Sequence, residues 1–359
     1  MFKKDIYDLL AEDVDRISFG FPKSYFRLDK KLLKKIFTPE HAKVFVQMKQ
    51  GYVTAKQHAE QNNISEAEAK AHLDAMANKG LIFRRHRGEN DEYHKHPFVM
   101  GFLEFQVNNP DTSWLLATSL YMITSKFGKR MSQTMPFYRT VPMHKEFLEG
   151  SKIMPYDDIE AILDKHTRFG VAPCMCRKMQ RLDPKFKCIH PSETCIVTDD
   201  YATFYIETGL GREITKEEAL AILREGENDG RVINVTNSQD GENICSCCAC
   251  GCGILTLRTR YPGPANDLWS NHYSEVDLSK CVKCGLCVKK CPFNYIKMTK
   301  EGIEIDQKHC LGCGLCIAAC HQKAIVLKHK PNLYTPPETY DGAIEIWQNI
   351  TKKDYNKYK

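Results

Sequence analysis

Apolar residues near the start of the chain recur with the period of an α-helix. Leu28, Leu32 and Leu33 fall on one face of such a helix. A new helix is predicted from Pro39, because Thr38 can cap its N-terminus and proline suits the first helical position. The beginning of the chain is therefore predicted to be mainly helical.

Two further helices are predicted after this start. One begins at Thr54, behind a short Gly-Tyr-Val segment. The next begins at Ser65, because Ser65 and Glu68 have the spacing of a capping box. Apolar residues line this helix up to Gly80, where glycine is predicted to end it.

A two-stranded hairpin is predicted to follow the helices. Residues 81–83 are apolar, residues 92–94 read Glu-Tyr-His, and a polar turn lies between them. The order of three helices and a two-stranded wing is similar to a winged helix-turn-helix fold over residues 38–97. We expect residues 1–97 to form a helical, winged-helix-like docking domain.

The resemblance raises the question of DNA binding, which the charges do not favour. The recognition helix of such a fold enters the major groove, and here it would span residues 66–79. That helix carries Glu66, Glu68 and Asp74 against Lys70 and Lys79. The wing carries Arg84, Arg85, His86 and Arg87. A mixed helix is a poor surface for a polyanion, so docking onto a partner protein or another domain is favoured.

Residues 98–270 are predicted to form a middle domain of helices and strands. A helix is expected around residues 114–121, and strands are expected at 137–142 and 232–235. The expected fold class is α+β, with a winged-helix-like N-terminal domain, a cysteine-rich α/β middle domain and a C-terminal ferredoxin-like domain.

The C-terminal chemistry is carried by one stretch, CVKCGLCVKKCPFNYIKMTKEGIEIDQKHCLGCGLCIAAC. The spacing C-x2-C-x2-C-x3-C occurs in it twice, at Cys281, Cys284, Cys287 and Cys291 and again at Cys310, Cys313, Cys316 and Cys320. A tight loop with two intervening residues can bring three thiolates round one face of a cubane. Gly285, Gly312 and Gly314 permit the left-handed or crowded backbone of such a loop.

Residues 275–328 resemble the two-cluster bacterial-type ferredoxins, with His321 where the second motif usually has proline. The fourth cysteine of such a run ligates the other cluster. Two [4Fe-4S] clusters are thus expected within residues 271–330, one on Cys281, Cys284, Cys287 and Cys320 and one on Cys310, Cys313, Cys316 and Cys291. A zinc or disulfide scaffold fits this spacing poorly.

Nine more cysteines precede this stretch, at Cys174, Cys176, Cys188, Cys195, Cys245, Cys247, Cys248, Cys250 and Cys252. Seventeen cysteines in a protein without a signal-peptide core indicate metal binding rather than disulfides. If residues 245–252 are extended, alternation places Cys248, Cys250 and Cys252 on one face and Cys245 and Cys247 on the other. One strand would then serve two further iron–sulfur clusters.

Other arrangements of these nine cysteines remain open. A single cluster with reserve thiols, one larger non-cubane cluster, and a zinc site on the C-x2-C pairs are the alternatives. His190 is interpreted as a turn residue rather than a ligand. Arg177 and Lys178 either offset cluster charge or are solvated.

The composition restricts the class of protein but does not indicate an activity. The chain has 359 residues and a formal charge of +6. Bound iron–sulfur clusters with their thiolates would carry negative charge and cancel this excess, so the positive charge gives no reason to expect nucleic-acid binding. No apolar run is long enough to span a bilayer, and a cytoplasmic protein is expected. Residues 331–359 are expected to form an extended tail with an amphipathic turn or two at residues 343–350, where Trp347 packs on the ferredoxin domain or on a partner.

The predicted function is electron transfer. The chain resembles the multi-cluster ferredoxin-like subunits of anaerobic oxidoreductases, which implies relay of single low-potential electrons to or from a partner oxidoreductase. No glycine-rich phosphate loop indicates a nucleotide. The alternatives are a reductase with an open-site cluster in residues 174–252 and a redox-responsive winged-helix regulator that binds DNA.

Overall fold

The computed structural model describes residues 4–133, 136–150, 152–260 and 270–354. Within these ranges helices pack on small antiparallel sheets. Among the described residues, no helix combines the length and the apolar character that crossing a membrane requires.

The N-terminal region contains five helices. They are α1 (Ile6–Asp15), α2 (Leu28–Ile36), α3 (Pro39–Gln47), α4 (Ala55–Asn62) and α5 (Glu66–Asn78). The predicted helix starts are confirmed, because the hydroxyls of Thr38 and Ser65 accept the backbone N–H groups of His41 and Glu68. A reciprocal capping box is formed one helix earlier than predicted, between Thr54 and Gln57.

Three short strands complete this region. Strands β1 (Val53–Thr54), β2 (Phe83–Arg87) and β3 (Asn90–His94) form an antiparallel sheet in the order β1–β3–β2. The predicted hairpin is confirmed, but β2 begins at the last residue of the predicted strand. Leu81 is still tied to the end of α5, because its N–H donates to the Met76 carbonyl.

Two helices link this region to the next. They are α6 (Thr112–Thr124) and α7 (Phe127–Gln133). The helix predicted around residues 114–121 is confirmed, and Trp114 and Tyr121 on it are fully buried.

A six-stranded sheet forms the centre of the molecule. Its strands are β4 (Tyr138–Thr140), β5 (Phe169–Pro173), β6 (Glu193–Thr198), β7 (Arg212–Ile214), β8 (Val232–Thr236) and β9 (Asn243–Cys247). Their order is β4–β8–β9–β6–β5–β7, and every pairing between them is antiparallel. The expected mixture of helices and strands is present, but the pairings are antiparallel although helices lie between several of the strands, so this region is not a parallel α/β sheet.

The two faces of this sheet have different neighbours. Helices α8 (Ile159–Leu163) and α11 (Lys216–Asn228) cover one face, where Ile196 and Ile244 are fully buried. Alternation along the strands sends Cys195 and Cys245 to the opposite face. That face packs into the core of the N-terminal region. The other helices here are α9 (Met175–Gln180), α10 (Asp199–Glu207) and α12 (Gly253–Arg260).

The cysteine-rich C-terminal region has an approximate internal repeat. Strand β10 (His272–Val276) pairs with β13 (Ile325–His329), and β11 (Ile296–Met298) pairs with β12 (Ile303–Ile305). Helices α13 (Leu286–Lys290) and α14 (Leu315–Ala318) follow the two cysteine loops. Each cysteine motif is thus one loop and one short helix held by two-stranded sheets.

The segment after residue 331 differs from the expected extended tail. It contains helix α15 (Tyr340–Asp354), and the described part of that helix buries Trp347 completely. The Trp347 ring lies 4.7 Å from the Phe19 ring and 6.4 Å from the Phe137 ring. Trp347 therefore packs on the N-terminal region and the entry to β4, neighbours that the two expected alternatives did not include.

Candidate metal centres

The eight cysteines of residues 281–320 surround two separate cavities. Cys281, Cys284 and Cys287 line a cavity of about 130 Å³ together with Cys320 from the second motif. A second, smaller cavity is lined by Cys310, Cys313 and Cys316 together with Cys291 from the first motif. Each cavity therefore has three thiols from one loop and a fourth from the other, which is the arrangement expected for a two-cluster ferredoxin.

Glycine permits the turn that opens each helix. Gly285 and Gly314 have φ values of +75° and +86°, a left-handed conformation that glycine adopts without penalty. Gly312 has a φ of +57°, and a Cβ there would lie 2.5 Å from the Cβ of His272. The predicted left-handed or crowded backbone at these three glycines is confirmed.

Backbone N–H groups point at the sulfur atoms of three of these cysteines. The N–H groups of Ser274 and Gly312 each lie 3.4 Å from Cys310 Sγ. The N–H of Tyr295 lies 3.4 Å from Cys291 Sγ, and equivalent contacts reach Cys320 from Ala324. Such donors stabilise thiolate charge and tune the potential of a bound cluster.

Burial opposes the thiolate form of the cysteines that line these cavities. It raises the pKa of Cys313 to about 12 and raises the pKa of Cys287 and of Cys316 as well. A positively charged metal core is needed to offset this effect, so binding would release protons. Four convergent thiols, N–H donors and an apolar lining fit an iron–sulfur cluster in each cavity.

The nine upstream cysteines divide into two sets. Six of them come together on the N-terminal side of the central sheet and are called the six-thiol group: Cys174, Cys176, Cys195, Cys245, Cys247 and Cys252. Cys195 and Cys245 face each other across β6 and β9. Cys174 caps α9, and Cys252 directly precedes α12. Two strands and two helix starts therefore converge here.

Hydrogen bonds between the thiols polarise the six-thiol group. Contact with Cys245 raises the pKa of Cys195, and the same contact lowers the pKa of Cys245. Contact with Cys176 and Cys247 lowers the pKa of Cys252 to about 6. Some of these sulfurs thus hold the proton while their neighbours carry negative charge, and a bound metal would displace the remaining protons.

The predicted division of residues 245–252 holds for Cys248 and Cys250 against Cys245 and Cys247, but it is wrong for Cys252 and for the extended conformation of the run. Strand β9 ends at Cys247, and the chain then turns, because the N–H of Cys252 donates to the Cys248 carbonyl. The turn returns Cys252 to the side of Cys247 and leaves Cys248 and Cys250 outside. Residues 245–252 do contribute cysteines to two separate sets of thiols, but a turn of the chain divides these sets.

The other three cysteines meet a histidine and are called the outer site: Cys188, His190, Cys248 and Cys250. The sulfur of Cys188 lies 3.8 Å from Cys248 Sγ and 3.4 Å from Cys250 Sγ. One ring nitrogen of His190 joins them, and all four ligand atoms lie within 4.8 Å of one another. The interpretation of His190 as a turn residue missed this placement, although the Cys188–His190 spacing could have indicated it.

Arg177 lies directly beside the outer site. Its side chain is buried, and its Nε donates to Cys248 Sγ at 3.3 Å. Its remaining donors bind the carbonyls of Pro191 and Ser246 and the Thr194 hydroxyl. Of the two alternatives for Arg177, charge compensation is therefore favoured. Lys178 instead donates to backbone carbonyls of residues 107 and 109.

A small polar cavity borders the six-thiol group. The Tyr138 hydroxyl lies 3.3 Å from Cys245 Sγ and lines this cavity with Glu104, Tyr201 and Glu242. Burial raises the pKa of Glu104 to about 7 and raises the pKa of Glu242. Protonatable groups thus lie next to a candidate redox centre, which sequence patterns did not reveal.

The basic wing is turned toward the protein itself. Arg84 Nη2 lies 3.2 Å from Glu207, His86 contacts the same carboxylate at 2.9 Å, and Arg87 pairs with Asp200 at 2.5 Å. Both acidic residues belong to α10. These ion pairs leave little free positive charge on the wing for a polyanion.

Two comparisons with known proteins gave matches. The family described as "4Fe-4S dicluster domain" matches residues 274–321. The chain is also 35% identical over 80 residues to NADH-quinone oxidoreductase subunit I of Pelobacter propionicus, a match that covers 21% of this chain and 42% of that protein. The chain therefore matches less than half of this relative's length. The family match indicates 4Fe-4S clusters in the ferredoxin-like region.

Proposed function

We propose that this protein transfers single low-potential electrons through two [4Fe-4S] clusters to or from a partner oxidoreductase. The observation that carries the proposal is the pair of four-thiol cavities within residues 281–320. The matches to a dicluster domain and to a subunit of an oxidoreductase support it. We propose a cytoplasmic location, where reduced thiols and clusters persist.

In this proposal each cavity binds one cluster. Cys281, Cys284, Cys287 and Cys320 hold the first, and Cys310, Cys313, Cys316 and Cys291 hold the second. The clusters supply one-electron redox chemistry when bound. The chain contributes apolar burial and the N–H groups beside Cys291, Cys310 and Cys320, which set the potential.

We further propose that the six-thiol group holds one additional iron–sulfur cluster. Its support is the convergence of six buried or half-buried sulfurs from strands and helix starts. The six sulfurs exceed the four ligands that a cubane takes. A non-cubane cluster therefore stays an alternative for this group.

The remaining parts of the chain are proposed as docking elements. The order of α3, β1, α4, α5, β2 and β3 favours a winged-helix domain within residues 1–97. Residues 98–270 would form the middle domain, 271–330 the ferredoxin domain, and 331–359 a segment that fastens the first two. The contacts of the wing with α10 support a docking role on this same chain.

The test is metal analysis and redox titration of anaerobically purified protein. The two ferredoxin clusters alone predict about eight irons and eight acid-labile sulfides per chain. Reduction should give electron paramagnetic resonance signals of two interacting clusters, and Cys284→Ser should perturb the cluster in its own cavity first. Colourless protein without sulfide would refute the proposal.

A reductase activity is the second candidate, and the polar cavity beside Cys245 favours it. The cavity has a volume of about 20 Å³, room for about one water molecule, so Glu104 and Tyr138 could pass protons toward the six-thiol group but could not contact a substrate there. The test supplies a reduced viologen dye and a panel of small oxidised substrates to the purified chain. Turnover that is lost in Glu104→Gln with full iron content would support this activity, and no turnover with any substrate would leave only electron transfer.

The third candidate, a DNA-binding regulator, has less support. The wing cations that would contact DNA are paired with Asp200 and Glu207. A gel-shift measurement at low salt tests it. We expect no shift of duplex DNA in either redox state of the clusters.

A further inference from the structure

The outer site has the ligand number of a closed metal site. Cys188, His190, Cys248 and Cys250 offer three sulfurs and one nitrogen within 4.8 Å of one another. Closed structural zinc sites in proteins use four such ligands, and three cysteines with one histidine are a common set. Catalytic zinc sites keep an open position, which four protein ligands do not leave.

The sulfur spacing distinguishes this site from the ferredoxin cavities. Zinc–sulfur bonds of about 2.3 Å in a tetrahedron place two sulfurs ~3.8 Å apart. The Cys188 sulfur lies 3.8 Å from Cys248 and 3.4 Å from Cys250. By contrast, no hydrogen-bonding contact joins two of the eight thiols in residues 281–320, all described. This spacing separates the outer site from the ferredoxin cavities but not from the six-thiol group, whose sulfurs also contact one another.

The charges near the outer site match one divalent ion. Three thiolates and one Zn²⁺ carry a net charge of −1. Arg177 donates to Cys248 and adds one positive charge. Buried Arg231 pairs with Asp229 at 3.5 Å, so these two groups cancel each other. Arg177 therefore offsets the net charge of one zinc ion bound by three thiolates.

The carboxylate of Asp229 lies next to the imidazole ring of His190. His190 Nδ1 is buried and has no hydrogen-bond partner among the residues that the structure describes, and Asp229 Oδ2 lies 3.8 Å from it. Metal-bound histidines usually direct their second ring nitrogen to a carboxylate, which fixes the ring for the metal. This arrangement leaves Nε2 of His190 for the metal.

We propose that Cys188, His190, Cys248 and Cys250 bind one structural Zn²⁺ ion, separate from every iron–sulfur cluster of the chain. The ion fastens the loop before β6 to the turn after β9. That turn carries Cys247 and Cys252 of the six-thiol group at its two ends, so the zinc holds the group's backbone in place. The inference does not depend on electron transfer by the ferredoxin region.

The test is zinc analysis and zinc K-edge X-ray absorption of protein made anaerobically with both iron and zinc supplied. We expect one zinc per chain, with three sulfurs at about 2.3 Å and one nitrogen at about 2.0 Å. The zinc edge is separate from iron absorption, so intact clusters do not interfere. A chain without zinc, iron in this site, or four sulfurs around zinc would overturn the assignment.

Variants separate ligand loss from misfolding. His190→Ala should lose the zinc or replace its nitrogen, while His321→Ala, an exposed histidine beside a ferredoxin cysteine, should keep it. Asp229→Asn should weaken zinc affinity about 10- to 100-fold in competition with a chelator. Equal zinc affinity in His190→Ala and in the unchanged protein would refute the role of His190. Iron content, measured in the same samples, reports separately on the clusters.

Discussion

At the scale of single residues, the second cysteine loop requires a glycine, because the neighbouring chain leaves no space for a side chain at that position. Gly312 and Lys283 occupy equivalent positions in the two motifs, and both have left-handed backbones, with φ of +57° and +58°. Lysine is thus tolerated in the first loop, whereas Gly312 lies against His272. Close packing, more than backbone conformation, requires glycine in the second loop.

Gly312→Ala is therefore expected to expel the second cluster. Its Cβ would lie 2.5 Å from His272 Cβ and 2.6 Å from the His272 carbonyl carbon, so β10 must move. Iron should fall by about four atoms per chain. Gly209→Ala is the control, because it has a φ of +69° and no atom within 4 Å. Full iron content in Gly312→Ala would contradict this account.

Arg177 illustrates a second residue whose role comes from its surroundings. Arg177→Gln removes the cation and leaves the acceptors on Pro191, Thr194 and Ser246 without their donors. We expect a loss of at least about 2 kcal/mol in the free energy of unfolding, measured by anaerobic urea denaturation. Arg177→Lys should recover little of it, since lysine lacks the planar fork. Arg181→Gln, at an exposed neighbour, should change stability much less, and equal losses would refute the argument.

At the scale of elements, local sequence signals predicted helix starts and strands well. Thr38 and Ser65 cap helices where expected, because a hydroxyl and the N–H three residues later are fixed by local geometry. The partners of the cysteines were not predictable in this way. Cys252 returns to Cys247 through a turn, and His190 meets Cys248 from a distant loop. Such groupings follow from sheet order, which no local pattern encodes.

The docking of the wing on α10 is expected to depend on pH. Burial lowers the pKa of His86, but hydrogen bonds to Glu207 and Asp91 outweigh it and raise the pKa overall. In the docked state His86 therefore holds its proton more tightly than in the undocked state. Docking is consequently strongest below the ordinary histidine pKa of about 6.5. It should weaken as the pH rises through the raised value. The measurement is the rate of trypsin cleavage at the wing arginines between pH 6 and pH 8.

His86→Gln should remove most of this pH dependence while Arg84 and Arg87 keep their partners. His309→Gln is the control, because His309 pairs with Asp306 in the ferredoxin-like region. A cleavage rate in the unchanged protein that is equally slow at pH 6 and pH 8 would contradict the prediction.

At the scale of the whole molecule, helix α15 joins regions that lie far apart in sequence. One continuous core contains Leu10, Phe137, Val232 and Trp347. The sequence identified Trp347 as a buried anchor but not its partners, because an amphipathic helix shows which face is apolar and not what covers it.

Trp347→Ala is expected to destabilise the fold by about 3–5 kcal/mol, the usual cost of removing a large buried side chain. Ile346→Ala on the same helix is the control, because Ile346 is 39% exposed. Thermal unfolding followed by far-ultraviolet circular dichroism measures both variants. Equal midpoints for the two would show that α15 does not close the core, whereas ferredoxin iron content should stay unchanged in each.

The position of Trp347 has a consequence for biosynthesis. Phe19 emerges from the ribosome early. Its 4.7 Å ring contact with Trp347 forms only after residue 347 has been translated. Until then, the apolar surface around Phe19 and Phe137 stays uncovered on the nascent chain. A chaperone that shields this surface during synthesis should raise the yield of folded protein.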